Sequence, residues 1–336
     1  MTNIPNITNI TQITAFLDLI RPDMERIEAR ISEEITSEVR QISSLAGRAL
    51  KAGGKRIRPA MVALSAKAVT DTPDAHRLEK VGAAAELVHM ATLVHDDVVD
   101  NTTTRRGLAT ANAVFGNGVS VLSGDFLLAR AMCLLVQDND IRIIRAMTEI
   151  TVEMSEGEVL EILSTGDPYL PSERYFEILR KKTAVFVEGC CRCGAIVGGA
   201  DTMIEAALAE FGHHLGMSFQ IADDMLDYTG DPEMTGKEIG SDLRDGRATL
   251  PFLLAMHDAD SADRRLFLQA FGAGSCDESA IANVVNAMRR YNVFDRTRSV
   301  ALMHREQAES ALMQLPPSLA REALMQLTDY VVHRDC

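Results

Sequence analysis

Two copies of one acidic pattern, Asp-Asp-x-x-Asp, are the residues of this sequence best suited to chemistry. The six aspartates are Asp96, Asp97, Asp100, Asp223, Asp224 and Asp227. Apolar residues flank both copies at helical spacing, which predicts two buried helices. On a helix, the first and last acids of each copy share one face, and the middle acid lies about a quarter turn away.

Carboxylates seldom enter an apolar helix unless a cation meets them. Mg²⁺ takes oxygen ligands, keeps several waters and is commonly completed by a phosphate. The two copies therefore predict a divalent-cation site that acts on a diphosphate substrate. The alternative is a pair of solvated acidic helix faces, which is the usual interpretation of a single copy. A second copy in equally apolar surroundings favours the cation site.

Basic residues follow a pair of glycines in the segment GGKRIRP, residues 53–59. The glycines free the backbone just before an apolar helix, where Lys55, Arg56 and Arg58 are placed to meet an anion. Arg105 and Arg106 follow the first acidic copy, and paired arginines there are suited to phosphate oxygens. The alternatives are an ordinary basic turn and a solvated loop.

A second irregular segment, residues 228–251, follows the second acidic copy and contains four glycines and two prolines. Long irregular segments of this kind often cover a cleft. Lys237 and Arg247 are its candidate phosphate ligands. Earlier in the chain, Lys182 and Thr183 place a cation and a hydroxyl at the start of an apolar helix.

Other residues that could do chemistry are interpreted as structural. The cysteine cluster at 190, 191 and 193 lacks a second ligand pair and sits among small residues, which favours packing over zinc binding. His213 and His214 precede a core helix and are also read as structural. Five glutamates are read mainly as an outward helix face: Glu149, Glu153, Glu156, Glu158 and Glu161. Pro22 predicts a break in the first helix.

The composition favours an all-helical protein. Hydrophobic residues make up 46% of the 336 positions, aromatic residues only 5%, and tryptophan is absent. The net charge of −14 argues against nucleic acid or an anionic membrane surface as a partner. No run of 18 apolar residues and no secretory signal is present, which predicts a cytoplasmic protein. No linker divides the chain, so we expect one domain over 1–336, with 1–14 as a loosely ordered tail.

The segments GGKRIRP, HDDVVDNTTTRRG, KT, QIADDMLDY and GK, in this order, resemble the trans-isoprenyl diphosphate synthases. The similarity extends from about residue 15 to the end of the chain. It implies an all-α, single-domain helical bundle of the isoprenoid synthase type with a central active-site cavity. Within the family, the stretches ATANAVFGNGVSVLSGDF and SEGEVLEIL are most similar to the long-chain bacterial members.

The resemblance also implies a role for each matching residue. The six aspartates would hold up to three Mg²⁺ ions together with an allylic diphosphate, which Arg105, Lys182 and Lys237 would support. Isopentenyl diphosphate would be bound by a second basic set: Lys55, Arg58, His89 and Arg106. Thr183 and Gln220 would lie near the reacting carbons. Arg247 stands where many relatives have lysine, which leaves its role open.

Product length is expected to depend on residues that precede the first acidic copy. Ala91 and Thr92 lie one helical turn before Asp96, and Val88 lies deeper. Their small size predicts an open tunnel and a long all-trans product made from farnesyl diphosphate, octaprenyl first and then nonaprenyl or decaprenyl, for quinone side chains. Met132 is the candidate floor of the tunnel. The alternative is that Ala91 and Thr92 only pack tightly against a neighbouring helix.

Other functions remain open at this stage. A short-chain synthase making farnesyl or geranylgeranyl diphosphate, or a class I terpene cyclase, would share the fold and one acidic copy. A non-catalytic subunit of a heteromeric synthase would lose acids from one copy, whereas all six are present here. The resemblance further implies a homodimer, with at most peripheral membrane contact for product release.

Overall fold

The computed structural model describes residues 7–51, 56–105, 107–230, 239–274 and 278–332. Nearly all of this described chain is helical, which confirms the all-α prediction. The first helices are α1 Ile7–Glu34, α2 Arg40–Lys51, α3 Ile57–Val69, α4 Ala75–Val99, α5 Ala111–Phe115 and α6 Asn117–Asp138. Between α4 and α5, strand β1 Thr104–Arg105 pairs antiparallel with β2 Leu108–Ala109.

The remaining helices follow after a turn at Asn139. They are α7 Ile141–Ser164, α8 Ser172–Leu179, a π-helical turn Arg180–Ala184, α9 Val185–Gly198, α10 Thr202–Thr229, α11 Ser241–Asp245, α12 Leu250–Asp258, α13 Ser261–Ala270, α14 Glu278–Arg290, α15 Val293–Leu312 and α16 Leu319–Val332. The residues that bear on the candidate site lie on α7, α8, the π-helical turn, α10 and α11.

The chain divides into two compact units. The first comprises the chain up to Thr148, with Gly189–Ala209 and Gln314–Leu324. The second comprises Glu149–Glu188, Glu210–Met313 and the segment from Met325 onward. The expectation of a single domain over the whole chain stays a prediction.

Helix α4 is the centre of the first unit, where it packs on α1, α3 and α6. It begins at a cap, since the Asp74 carboxylate accepts from the backbone N–H groups of His76 at 2.9 Å and Arg77 at 3.1 Å. A continuous buried run from Val81 to Val88 follows. Such a run predicts a helix covered on all sides, which explains how the helix carries one of its terminal acids, Asp97, into the protein.

Helix α1 differs from the prediction of a break at Pro22. The helix continues through this proline from Ile7 to Glu34, and the buried Ile20, Ile27 and Ile31 lie on its packed face. Tertiary packing of that face stabilises the helix despite the backbone hydrogen bond that proline removes. The helix also begins inside the segment 1–14 that was expected to be a tail.

Helix α9 approaches α3 closely in the first unit because its residues are small. A Cβ added to Gly194 would lie 2.3 Å from the carbonyl oxygen of Val62, so only glycine fits there. Cys190, Cys191 and Cys193 are fully buried on the same helix. Burial raises the pKa of the Cys193 thiol to about 12. These observations support the packing interpretation of the cysteine cluster.

The second unit has its own core around the last turns of α10. Tyr228 is buried there, and its hydroxyl lies 3.3 Å from the hydroxyl of Thr249. Phe252 on α12 stacks on Phe271 with ring centroids 4.7 Å apart. This aromatic packing fixes the C-terminal half of α10, which carries the second acidic copy.

Candidate active site

The first acidic copy lies at the C-terminal end of α4. Asp96 and Asp97 are in its last turn, and Asp100 is its C-cap residue. The backbone N–H of Asp100 donates to the Asp96 carbonyl at 2.8 Å, which places these two residues one turn apart, as predicted. Carbonyl groups give a helix C-terminus partial negative charge, so three acids there are electrostatically unfavourable without a cation.

Asp97 is the buried member of this copy, and a cation already meets it. The Arg105 Nε–H donates to Asp97 Oδ1 at 2.9 Å. The hairpin of β1 and β2 positions Arg105, and Asn112 Nδ2 donates to the Asp97 carbonyl oxygen at 2.9 Å. Arg105 therefore lies beside the first acidic copy, where the sequence places it. Arg106 lies outside the described residues.

The second acidic copy lies in the last two turns of α10, at the same end of its helix as the first copy. Asp224 is buried, and both of its carboxylate oxygens accept hydrogen bonds. Tyr175 O–H donates to Oδ2 at 2.8 Å, and Gln220 Nε2 donates to Oδ1 at 3.0 Å. Thr183 Oγ1 donates in turn to Gln220 Oε1 at 3.0 Å. The structure thus joins the predicted residues Thr183, Gln220 and Asp224 in one chain of hydrogen bonds.

Tyr175 is a residue of this network that sequence reasoning missed. It lies on α8, seven positions before Lys182, in a stretch with no pattern of acids, cations or glycines. An aromatic residue at helical spacing reads as core, and Tyr175 is indeed buried. The hydrogen bond from its hydroxyl to Asp224 makes Tyr175 part of the network. Nothing in the sequence predicts that hydrogen bond.

Asp227 is oriented by the start of α11. The backbone N–H groups of Ser241 and Asp242 donate to its two carboxylate oxygens, each at 3.1 Å. Gly240 makes this turn with a positive φ of 74°, and its N–H donates to the Asp227 carbonyl oxygen at 2.7 Å. The third acid of the copy is therefore held in one orientation by backbone donors.

The acids of the second unit crowd one another. Burial raises the pKa of Asp224 to about 7, against the lowering effect of the Gln220 and Tyr175 hydrogen bonds, and the charges of Asp223 and Glu161 raise it further. Burial also raises the pKa of Asp242, and the charges of Asp227 and Asp224 add to that rise. This concentration of carboxylate oxygens fits a hard divalent cation, which would favour the ionised forms.

Within the described part of the chain, no three His, Cys, Asp or Glu side chains converge closely enough to hold an ion on their own. An ion bound by these acids would therefore need further oxygen ligands. Water and the oxygens of a diphosphate are the ligands with which Mg²⁺ usually completes its shell. The acids thus fit a metal that binds together with its substrate.

Lys182 lies in the π-helical turn, where it faces two glutamates of α7. Its ammonium group lies 3.3 Å from a carboxylate oxygen of Glu158 and forms a shorter ion pair with Glu161. The reading of the α7 glutamates as an outward face holds for Glu149 and Glu156, which are exposed. It is wrong for Glu158 and Glu161, because the approach of the π-helical turn covers that part of α7.

Arg58 and His89 come together in the first unit, as the resemblance implies. Arg58 Nη1 donates to His89 Nε2 at 3.0 Å, which joins the start of α3 to α4. Arginine can only donate, so this ring nitrogen carries no proton. Burial lowers the pKa of Arg58, while the nearby Cys190 and Glu86 partly offset that effect. Lys55 lies outside the described residues.

Arg56 forms an ion pair within the first unit. Its guanidinium donates to Glu86 at 2.8 Å and to the Leu50 carbonyl oxygen at 3.0 Å. Glu86 is buried, so this ion pair fixes the entry to α3. Arg56 is therefore engaged with groups of the first unit, and its role towards an anion stays a prediction.

Arg247 lies beside two acids of α11. The Arg247 guanidinium lies 3.7 Å from carboxylate oxygens of both Asp242 and Asp245.

Most of the chain-length candidates lie on α4. Val88 and Ala91 are buried on α4, whereas Thr92 is half-buried and donates to the His89 carbonyl oxygen at 2.9 Å. The remaining candidates are Met132, half-buried on α6, and Lys237, which lies outside the described residues. Burial of Ala91 is compatible with a tunnel wall and with simple packing.

Comparison with known proteins agrees with this arrangement. Residues 39–288 match the family profile "Polyprenyl synthetase". The chain is 37% identical to octaprenyl diphosphate synthase of Escherichia coli (strain K12) over 330 residues, which cover 98% of this chain and 99% of that protein. It is also 37% identical to the all-trans-nonaprenyl-diphosphate synthase (geranyl-diphosphate specific) of Rhodobacter capsulatus over 320 residues, 94% of this chain and 97% of that protein.

A solved structure shares the fold along almost the whole chain. The polyprenyl synthase of Caulobacter crescentus CB15, complexed with calcium and isoprenyl diphosphate, superimposes with a TM-score of 0.90 at 35% identity. The match covers 96% of this chain and 98% of that one. The profile spans most of the sequence, the relatives are similar from end to end, and both acidic copies are intact. The chain therefore belongs to the trans-isoprenyl diphosphate synthase family, and it is a prenyltransferase.

Proposed function

We propose that this enzyme is a long-chain all-trans polyprenyl diphosphate synthase. It condenses isopentenyl diphosphate head-to-tail onto an allylic diphosphate, with farnesyl diphosphate as primer. The product is an octaprenyl to decaprenyl diphosphate that supplies the side chain of a quinone. Octaprenyl is the preferred length. The observation that carries the proposal is the pair of intact acidic copies at the C-terminal ends of α4 and α10, in a chain whose relatives include octaprenyl and nonaprenyl synthases.

The six aspartates are the proposed ligands of up to three Mg²⁺ ions. Bound Mg²⁺ would supply positive charge to the allylic diphosphate as it leaves. The Caulobacter crescentus structure is a complex with calcium and isoprenyl diphosphate, which supports the use of a divalent cation here. The residues proposed to hold the allylic diphosphate are Arg105, Lys182 and Lys237.

The chemistry that these residues promote is ionisation followed by coupling. The bond between the allylic carbon and the diphosphate oxygen breaks, and the oxygen keeps the electron pair. The double bond of isopentenyl diphosphate then supplies the electrons of the new carbon–carbon bond, and a proton leaves to the departing diphosphate. Cations held beside the leaving oxygen stabilise its developing charge. The apolar residues of α4 exclude water, which would otherwise quench the allylic cation.

Isopentenyl diphosphate is proposed to bind the second basic set, Lys55, Arg58, His89 and Arg106. The Arg58 to His89 contact supports this part of the proposal, since it joins two candidates from different helices. Thr183 and Gln220 are proposed to lie near the reacting carbons. Thr183 donates to Gln220, and Gln220 donates to Asp224. These hydrogen bonds support a position for both residues beside the second acidic copy.

Two alternatives are retained. The short-chain alternative is supported by one relative, the short chain isoprenyl diphosphate synthase of Methanothermobacter thermautotrophicus, at 34% identity. The heteromeric alternative is supported by another, heptaprenyl diphosphate synthase component 2 of Geobacillus stearothermophilus, at 34% identity. Because all six aspartates are present, a non-catalytic subunit is the weaker of the two.

We also propose a cytoplasmic homodimer with at most peripheral membrane contact. Helix α6 is long and apolar enough to cross a membrane by composition, yet it packs along α4 in the first unit. Its exposed face carries Leu122, Ala129, Cys133 and Val136, which repeat at helical spacing. Leu122 is 67% exposed, which is unusual for a leucine on a packed helix. A second copy of this face would cover the stripe.

Removal of one acid from either copy should abolish most activity at saturating Mg²⁺. Asp96→Ala and Asp223→Ala should each cost at least about 3 kcal/mol of transition-state stabilisation, roughly a hundredfold in rate. Radiolabelled isopentenyl diphosphate incorporation measures the rate, and circular dichroism checks the fold. The exposed Glu210→Ala on α10 is the control acid. Near-normal turnover in either aspartate variant would overturn the metal assignment.

The Arg58 and His89 pair should bind one substrate and not the other. Arg58→Gln or His89→Ala should raise the KM for isopentenyl diphosphate by about tenfold, because a charge-assisted contact is lost. The KM for the allylic substrate should change less than about twofold. The exposed Arg298→Gln controls for loss of one positive charge. An equal rise in both KM values would contradict the division of the basic residues.

Enlarging Ala91 should shorten the product if it lines the tunnel. We expect Ala91→Tyr to stay folded and active, with products that stop near about fifteen or twenty carbons because an aromatic ring there blocks elongation. Chromatography of dephosphorylated products measures their length. If Ala91 only packs, the same variant should instead lose about 1 to 3 kcal/mol of unfolding free energy with no change in product length. Ala91→Val tests for a graded effect.

Charge placed on the exposed α6 stripe should separate a dimer. Sedimentation velocity at micromolar concentration should give a dimer for the wild type and a monomer for Leu122→Glu, because an isolated charge buried in an apolar interface is strongly unfavourable. The exposed Glu149→Gln serves as the control variant. A wild-type enzyme that sediments as a stable, active monomer would contradict the proposed assembly.

A further inference from the structure

The two glutamates that face Lys182 have no part in the function proposed above. Glu158 and Glu161 lie three positions apart on α7, on the same side of the helix, and both meet the Lys182 ammonium group. Their side chains are only 21% and 22% exposed. In contrast, Glu156 is 57% exposed and pairs with the neighbouring Lys181. The partly covered pair is therefore distinct from the ordinary surface ion pair beside it.

A glycine makes this contact possible. A Cβ added to Gly157 would lie 2.7 Å from Lys181 Cβ and 2.9 Å from the backbone nitrogen of Lys182. Any other residue would push the π-helical turn away from α7. The turn itself is a local departure from α-helical geometry, of a kind that is frequent at functional sites. Gly157 and the π-helical turn together bring Lys182 within reach of the next two glutamates.

Burial and the neighbouring charges shift the pKa of Lys182 in opposite directions. Burial lowers the pKa of the lysine, and so does the positive charge of Arg247, which lies in the same unit. The carboxylates of Glu161 and Glu158 raise it by more, so the net direction is upward. Glu161, Glu158 and Arg247 are the charged groups with the largest effects on this ammonium. Without the two acids, burial and Arg247 would lower the pKa of this amine.

We propose that Glu158 and Glu161 are positioning residues that hold Lys182 charged and aimed at the allylic diphosphate. An ammonium group has three N–H donors in a tetrahedral arrangement. Two of them are directed at the glutamates, which fixes the direction of the third for a phosphate oxygen. The inference rests on the proposed role of Lys182 in binding that substrate. It deepens that role, because it assigns both glutamates to the lysine that is proposed to bind the substrate.

Neutral variants of the same shape test the proposal. Glu161→Gln and Glu158→Gln should each raise the KM for the allylic diphosphate by about fivefold or more and change the KM for isopentenyl diphosphate less than about twofold. Glu156→Gln is the matched control, with the same change on the same helix, and should leave both KM values unaltered. An unchanged or lower allylic KM in both of the first two variants would overturn the proposal.

A pH profile separates positioning from a merely structural role. A carboxylate raises the pKa of a neighbouring amine, so its removal lowers that pKa. In Glu161→Gln the alkaline limb of kcat/KM for the allylic substrate should therefore move to lower pH. Acetic anhydride labelling, quantified by mass spectrometry, should show faster modification of Lys182 in this variant, with Lys181 as the internal reference. Unchanged labelling and an unmoved alkaline limb would each contradict the proposal.

Lys182→Ala distinguishes failure of this inference from failure of the proposed function. If Lys182→Ala keeps a wild-type KM for the allylic diphosphate, the lysine does not bind that substrate and both proposals lose their basis. If Lys182→Ala raises that KM while Glu161→Gln and Glu158→Gln do not, the lysine binds the substrate without the glutamates. Only the positioning role is then overturned.

Discussion

Repulsion among carboxylates at helix C-termini is the constraint on which this structure depends. Both acidic copies end a helix, where backbone carbonyls add to the negative charge. Each copy buries its middle acid, and each buried acid has a dedicated partner. Arg105 donates to Asp97, and Tyr175 donates to Asp224. These donors offset part of the cost of burial, and what remains favours the binding of cations.

The cationic side chains considered as phosphate ligands show the complementary arrangement within each unit. Each lies beside groups that are not substrates: Lys182 beside Glu158 and Glu161, Arg58 beside His89, and Arg247 beside Asp242 and Asp245. A cation held in this way loses little side-chain entropy when a diphosphate binds, because its position is already set. The same neighbours compete for its charge. The diphosphates proposed as substrates carry several negative charges, which would offset that competition.

The sequence predicts those candidate site residues that lie in a repeated motif or whose type is unusual for their surroundings. Acids in apolar helices, paired arginines and the GGKRIRP segment are such signals, and α4 and α10 carry the acids where the periodicity predicts. Helix type is predictable because apolar spacing persists over many residues. The continuity of α1 through Pro22 is not predictable in this way, because packing of the α1 face outweighs the local effect of proline.

What the sequence does not predict are contacts between residues far apart in the chain. Tyr175 reads as core because only its hydroxyl is functional, and that hydroxyl meets an aspartate 49 positions away. Glu158 and Glu161 read as surface because their row on α7 begins with exposed glutamates. Their partial burial depends on the approach of the π-helical turn, which in turn depends on the absence of a side chain at Gly157. The local pattern of α7 does not reveal this contact, because Lys182 lies 24 positions further along the chain than Glu158.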